Sequence, residues 1–298
     1  MSHVTLATLA THATHATHAA PTLDRYAVLG NPVAHSRSPA IHAAFAEQTG
    51  QALEYGRLLC PLEGFADALR TFAGSGARGC NVTVPFKLAA RRLAQHASER
   101  AVLAGAANTL SFREDGWHAD NTDGVGLVRD IENNAGLALA GQRVLLVGAG
   151  GAAAGVLGPL VAAQPASVVV VNRTAGKAQA LVQRHAAWAA QHGVALSACA
   201  LEQPGAGFGV VLDASASSLA GQASPVPASV LAPGALAVDL MYGPAAAPFL
   251  AWARAAGAVP RDGLGMLVEQ AAEAFFIWRG VRPLTSPVLQ ALRLQVDA

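Results

Sequence analysis

Lysine occurs only twice in this chain, as Lys87 and Lys177, beside eighteen arginines. Each lies in a run of chemically capable residues: Asn81-Val82-Thr83-Val84-Pro85-Phe86-Lys87 and Asn172-Arg173-Thr174-Ala175-Gly176-Lys177. A guanidinium stays charged at any ordinary pH, whereas the pKa of an ammonium can move far enough for it to exchange protons. Lys87 is therefore the first candidate for an acid/base group. Standing alone it would read equally well as a surface lysine at a helix start.

A second constellation points to phosphate. The apolar run Val144 to Val147 leads straight into Gly148-Ala149-Gly150-Gly151-Ala152-Ala153, a G-x-G-x-x-A pattern. Gly148 permits a tight turn, Gly150 lets backbone approach a pyrophosphate, and the small third position lets helix and strand pack closely. The helix that starts here aims free N–H groups and its positive dipole end at the phosphates. Ala149, Gly151 and Ala152 belong to the same turn. A glycine pattern alone is weak in a chain with 30 glycines. Its place between a strand and a helix makes it a dinucleotide fingerprint. The next strand selects the dinucleotide. An NAD site commonly ends it in Asp or Glu, which takes the ribose hydroxyls. Here it ends Asn172-Arg173-Thr174, with Lys177 one turn on. Two cations and a hydroxyl in place of a carboxylate suit a 2′-phosphate, hence NADP.

Alternating β-rich runs and alanine-rich helical stretches must position these groups. Strands are predicted at Tyr26–Leu29, Arg57–Leu59 and Cys80–Val84. A hairpin is predicted from Thr109–Phe112 and Trp117–Ala119 around Asp115-Gly116. Ser38-Pro39 opens a helix, with serine as N-cap and proline at N1. A second series starts near Asp123, with a helix to about Asn133. It continues with strands at Val144–Val147, Val168–Val171, Val194–Cys199, Val210–Leu212 and Ala235–Leu240. Strand–helix alternation implies parallel βαβ units. The fold class is α/β: two α/β domains with a ligand cleft between them. The expected division is a low-complexity disordered tail (1–24), a substrate domain (25–122 plus 264–298) and a Rossmann-type NADP-binding domain (123–263). The stretch from Gly265 is helical and long enough to pack back on the first domain.

At 298 residues, 52% hydrophobic and with net charge +1, the chain can bury two cores and carries no basic stripe for nucleic acid. No long unbroken apolar run suggests a membrane span. Cys60, Cys80 and Cys199 lack disulfide or zinc spacing, which suits a reducing cytoplasm. His12, His15 and His18 recur every third residue near the start and could share a helix face for a metal. The repeat reads instead as low-complexity tail, and no metal site is expected.

Several further runs stand in order: Gly30 to Pro39 (GNPVAHSRSP), Ala104 to Thr109 (AGAANT), Asp120 to Gly124 (DNTDG), and Asp262 to Gln270 (DGLGMLVEQ). With the runs above, they make the chain resemble the shikimate dehydrogenases over nearly everything past residue 25. The resemblance implies reversible hydride transfer between NADPH and 3-dehydroshikimate, giving shikimate. It makes Lys87 the catalytic lysine and Asp123 its partner carboxylate. It sets Ser36 and Ser38 on the substrate carboxylate with Tyr242 nearby, and Thr83, Asn108, Asp123 and Gln270 around the ring hydroxyls. Leu240 and Gly263 fall beside the nicotinamide, and Glu99 on the cofactor side. The chemistry suits these types. Hydride added to a ketone leaves an alkoxide that needs a proton, and a lysine ammonium supplies one. Two serine hydroxyls before a helix N-terminus make a neutral seat for a carboxylate. The family commonly occurs as monomer or homodimer.

Two departures stand out. Arg37 replaces the lysine usual between the serines, and is expected to point away from them. Asp213, in Val211-Leu212-Asp213-Ala214-Ser215-Ala216, replaces the usual asparagine, where it could change cofactor affinity or pair with Arg173. Three other readings stay open: a quinate/shikimate dehydrogenase of broader range, a non-catalytic NADP-binding regulatory protein, and an interaction module.

Overall fold

The structure is a computed structural model that describes residues 23–297. The Thr-His-Ala repeat lies outside them.

The first half runs β1 (Asp24–Gly30), α1 (Ser38–Thr49), β2 (Leu53–Leu59), α2 (Phe65–Gly74), β3 (Gly79–Val82), α3 (Lys87–Leu93), β4 (His96–Ala97), α4 (Glu99–Ala104), β5 (Thr109–Arg113) and β6 (Gly116–Asp120). These strands form one six-stranded sheet in the order β2-β1-β3-β5-β6-β4. The hairpin expected around Asp115-Gly116 forms as β5 and β6, and the parallel βαβ pattern holds only for β1, β2 and β3 and for β4 beside β6. β1 runs parallel to β2 and β3, but β5 is antiparallel to both β3 and β6. Only two residues join β5 to β6, and so short a link can only reverse the chain. The first strand also starts earlier than expected, at Asp24, which bonds Arg78 and Arg279.

The second half runs α5 (Asp123–Arg129), β7 (Arg143–Val147), α6 (Gly151–Ala162), β8 (Ser167–Asn172), α7 (Ala175–Gln191), β9 (Ala195–Ala200), β10 (Phe208–Asp213), β11 (Leu231–Asp239), α8 (Ala247–Ala255), β12 (Val259–Arg261), α9 (Leu264–Arg279) and α10 (Ser286–Val296). Its six strands are all parallel, ordered β12-β11-β10-β7-β8-β9. Parallel strands covered on both faces must be apolar throughout. In β7 the side-chain alternation sends Val144 and Leu146 into one core cluster and Leu145 and Val147 into another across the sheet. The strand order reverses between β7 and β10, which makes their carboxyl ends a topological switch point where ligands bind.

The helix expected from Asp123 to Asn133 is regular only to Arg129, and a wider π-type turn covers Asp130–Asn134. Asp130 is buried there and held from outside the helix by Arg261 Nε at 2.7 Å, while Asn134 Nδ2 donates to it at 3.0 Å.

The last two helices return to the first sheet. Leu264, Val268 and Phe275 of α9 and Val288 and Leu292 of α10 share a core with Ile41 and Phe45 of α1. Close contact at the junction depends on glycine. A Cβ on Gly124 would lie 2.7 Å from the Gly155 carbonyl oxygen of α6, and one on Gly126 2.8 Å from the Met266 oxygen of α9. α5 is thereby wedged between the two helices.

Candidate active site

Pro85 stops the run that follows β3, since it has no N–H to continue a ladder. α3 then opens on Lys87 itself. The Lys87 backbone is fixed by a bond from Ala107 N to its carbonyl at 2.9 Å. Its Nζ lies 2.6 Å from Oδ2 of Asp123, the first residue of α5, and the side chains are 20% and 8% exposed. Oδ1 of Asp123 accepts from Asn108 Nδ2 at 2.8 Å, and Asp123 N donates to Asn121 Oδ1 at 3.2 Å.

Asn108 is the hub behind this pair. Its Nδ2 also lies 2.9 Å from Thr122 Oγ1 and 3.1 Å from Gln270 Oε1, while its Oδ1 accepts from Thr122 N at 2.9 Å. One layer deeper, Asn81 Nδ2 donates to the Asn108 carbonyl at 3.0 Å, and Asn81 Oδ1 accepts from the Tyr55 hydroxyl at 2.7 Å. Asn81, Asn108, Thr122 and Asp123 are all buried. In so dry a setting each hydrogen bond strengthens and the geometry is held rigidly.

The pair faces a cavity of about 430 Å³, a volume suited to a small molecule. Ser36, Ser38, Thr83, Lys87, Asn108, Asp123, Tyr242 and Gln270 all line it, as do Ala152, Leu240 and Gly263. Gly263 has no room for a side chain, because a Cβ there would sit 2.3 Å from the Leu240 carbonyl oxygen. His35, Asn81, Met241 and Met266 line the cavity too. Asn81 begins the run that ends in Lys87, and that position was the signal for its role. Tyr55 carried no local signal.

The serine expectation needs adjustment. Ser38 is the first helical residue and makes no capping bond, and Arg37 holds the N-cap position. Ser36 does the local work: its Oγ accepts from Ser38 N at 3.3 Å and lies 3.2 Å from Ser38 Oγ. Arg37 does not line the cavity, yet its charge is felt at Tyr242. Burial raises the Tyr242 hydroxyl pKa, and Arg37 acts against that rise.

On the dinucleotide side, Gly148 has φ +110°, and a Cβ there would meet the Ala214 carbonyl oxygen at 2.8 Å. Gly148 N donates to Val171 O at 2.7 Å, which ties the turn to the end of β8. Above Gly150 and Gly151 a Cβ would meet nothing within 4 Å. That open space, with Ala149 and Ala152 beside it, fits a pyrophosphate at the start of α6. Ala153 is fully buried, as close helix–strand packing requires. Arg173, Thr174 and Lys177 are exposed along the same edge, while Asn172 Nδ2 donates to Thr174 O at 3.0 Å and shapes the loop. No carboxylate ends β8. The residues present fit NADP. Glu99 is exposed in the first turn of α4 and lies outside the cavity.

Asp213 does not pair with Arg173. It is 1% exposed, its Oδ1 accepts from Ser215 N at 2.8 Å, and its Oδ2 has no partner among the described residues. It faces into the end of the sheet beside Asp239, its register partner on β11. Burial raises its pKa, and the bonds from Ser215 offset only part of that rise.

A family model for the shikimate dehydrogenase substrate binding domain matches residues 28–110. Models for shikimate / quinate 5-dehydrogenase and for the shikimate 5'-dehydrogenase C-terminal domain match residues 130–203 and 263–293. A shikimate dehydrogenase (NADP(+)) of an Acidovorax strain is 64% identical over 275 residues, 92% of this chain and 98% of that one. The chain belongs to the shikimate dehydrogenase family. Another shikimate dehydrogenase (NADP(+)), from Paracidovorax citrulli, is 65% identical over 274 residues, again 92% of this chain and 98% of that one. The crystal structure of a shikimate 5-dehydrogenase from Thermus thermophilus in complex with shikimate matches with a TM-score of 0.80 at 36% identity. That match covers 93% of this chain and all of the other.

Proposed function

We propose that this member of the shikimate dehydrogenase family catalyses the reversible NADPH-dependent reduction of 3-dehydroshikimate to shikimate. The observation that carries the reading is the 2.6 Å contact between Lys87 Nζ and Asp123 Oδ2, in a cavity that Ala152 and Gly263 also line. NADP, when bound, supplies or takes up the hydride. The chain's own residues do the rest. Lys87 donates a proton from Nζ to the oxygen left negative as the carbonyl carbon gains hydride, and in the reverse direction the neutral amine takes it back. Asp123 orients the ammonium, and its own second oxygen is fixed by Asn108. Ser36, Ser38 and Tyr242 seat the substrate carboxylate. Thr83, Asn108 and Gln270 address the ring hydroxyls. Their donors are in place before substrate arrives, so little reorganisation is needed during the reaction.

The same reading assigns residues 25–122 with 264–298 to the substrate, and 123–263 to the dinucleotide. Gly148, Ala149, Gly150 and Gly151 hold the pyrophosphate. Asn172, Arg173, Thr174 and Lys177 hold the 2′-phosphate end. Leu240 flanks the nicotinamide with Gly263, and Glu99 remains only a peripheral candidate on the cofactor side. The enzyme works in the cytoplasm as a monomer or homodimer. Among the described residues no helix is long and apolar enough to cross a membrane. The test mixes protein with shikimate and NADP+, or with quinate and NAD+, and follows absorbance of the reduced cofactor. The reading expects turnover with the first pair. Turnover with quinate and NAD+ alone would shift the substrate assignment, and no signal with either pair would leave only a binding protein.

A further inference from the structure

Outside the cavity, at the outer edge of the first sheet, three side chains with metal-binding chemistry converge. We propose that His96, Asp115 and His118 form a surface site for a borderline divalent cation such as Zn2+ or Cu2+, which staples the two-residue strand β4 to the β5–β6 hairpin.

β4 is the last strand of its sheet, and His96 and His118 are direct register partners across its only ladder. Their rings stack with centroids 4.4 Å apart. Both Nε2 atoms turn toward Asp115 at the hairpin tip. His118 Nε2 lies 2.9 Å from Asp115 Oδ1, and His96 Nε2 lies 3.1 Å from the Asp115 carbonyl oxygen and 3.9 Å from Oδ2. One ligand atom from each residue falls within 4.8 Å of the others. Tetrahedral ligands about 2.0–2.1 Å from a zinc ion stand roughly 3.3 Å apart. The remaining gap closes by rotation of these side chains, of which His96 and Asp115 are exposed.

The backbone beneath is already fixed. Gln95 Oε1 accepts from Trp117 N at 2.8 Å, and the Gln95 side chain packs against Gly116, whose φ is +125°. Two imidazoles and one carboxylate, with the fourth position open to solvent, suit Zn2+ or Cu2+ and disfavour Mg2+ or Ca2+, which demand oxygen ligands. None of the three residues lines the cavity. No sequence spacing announces the site, because the sheet register joins residues 96 and 118.

His12, His15 and His18 could also take up metal, so the test uses the full chain carrying H12Q/H15Q/H18Q as background. Zn2+ is titrated into it by calorimetry. One ion per chain is expected. Adding H118Q, or D115N, should weaken binding about tenfold or more and leave the rate of shikimate oxidation unchanged. Absence of a one-to-one site in the background protein, or equal affinity after both substitutions, would overturn the proposal. Asp115 is exposed in a turn that asparagine tolerates, so D115N decides the matter should H118Q fail to fold.

Discussion

Arg173 and Lys177 sit exposed on the edge where β8 ends, and neither forms an ion pair among the described residues. A buried or paired cation would be spoken for; these are free to meet a phosphate. Charge-assisted hydrogen bonds contribute about 1.5–3 kcal/mol each. Arg173→Ala should therefore weaken NADPH binding about 10- to 100-fold and leave NADH binding nearly unchanged. Titration of both cofactors by calorimetry checks this, and an equal loss for both would reject the 2′-phosphate role. These residues were legible in the sequence because one strand end and one helical turn bring them together. Asp213 was legible only as an oddity. Its isolation from Arg173 follows from its inward direction at the end of β10, which no local pattern encodes.

Glycine and buried acid explain how the elements meet. The Asp123 carboxylate sits on α5, whose position is set by close contact at Gly124 with α6 and at Gly126 with α9. Gly124→Ala would push its Cβ into the Gly155 carbonyl oxygen and Pro159, each under 3.0 Å away. The strain typically costs about 1–3 kcal/mol, and it would fall on the helix that presents Asp123. Both kcat and the denaturation midpoint should drop, and a fully active Gly124→Ala enzyme would disprove the wedge. Along the carboxyl edge of the second sheet, burial raises Asp239 to about 6, aided by the nearby Asp213 and Asp262 carboxylates and opposed by bonds from Ser218 and Met241 N. An acid whose pKa is higher folded than unfolded gives stability that is complete below about 3.8 and is lost as pH rises through about 6. Two units correspond to about 3 kcal/mol. Subtracting the pH–stability curve of Asp239→Asn from that of the parent should reveal this loss between pH 4 and 6. A flat difference would contradict it. β4 and β12, at two and three residues, are too short to show a period, and so escaped sequence reading.

At the scale of the molecule, the site exists because two sheets share a seam. Glu273 of α9 marks it. Burial alone would raise its pKa, but Arg129 of α5, Arg100 of α4 and Arg282 together hold it at about 2. The α/β class, the two-part organisation, the hairpin and the glycine turn were readable because each rests on near neighbours in sequence. The antiparallel pairing of β5 with β3 and the Tyr55–Asn81–Asn108 relay were not, because they join segments 26 or more residues apart. The central claim is that this seam delivers the Lys87 ammonium to a substrate carbonyl. Its most direct test is Lys87→Ala, with NADPH and shikimate affinities measured by calorimetry beside kcat at saturation. The account predicts both affinities within a few-fold of the parent and turnover down by about 10²–10⁴-fold or more. Near-normal kcat in a folded Lys87→Ala protein would contradict it.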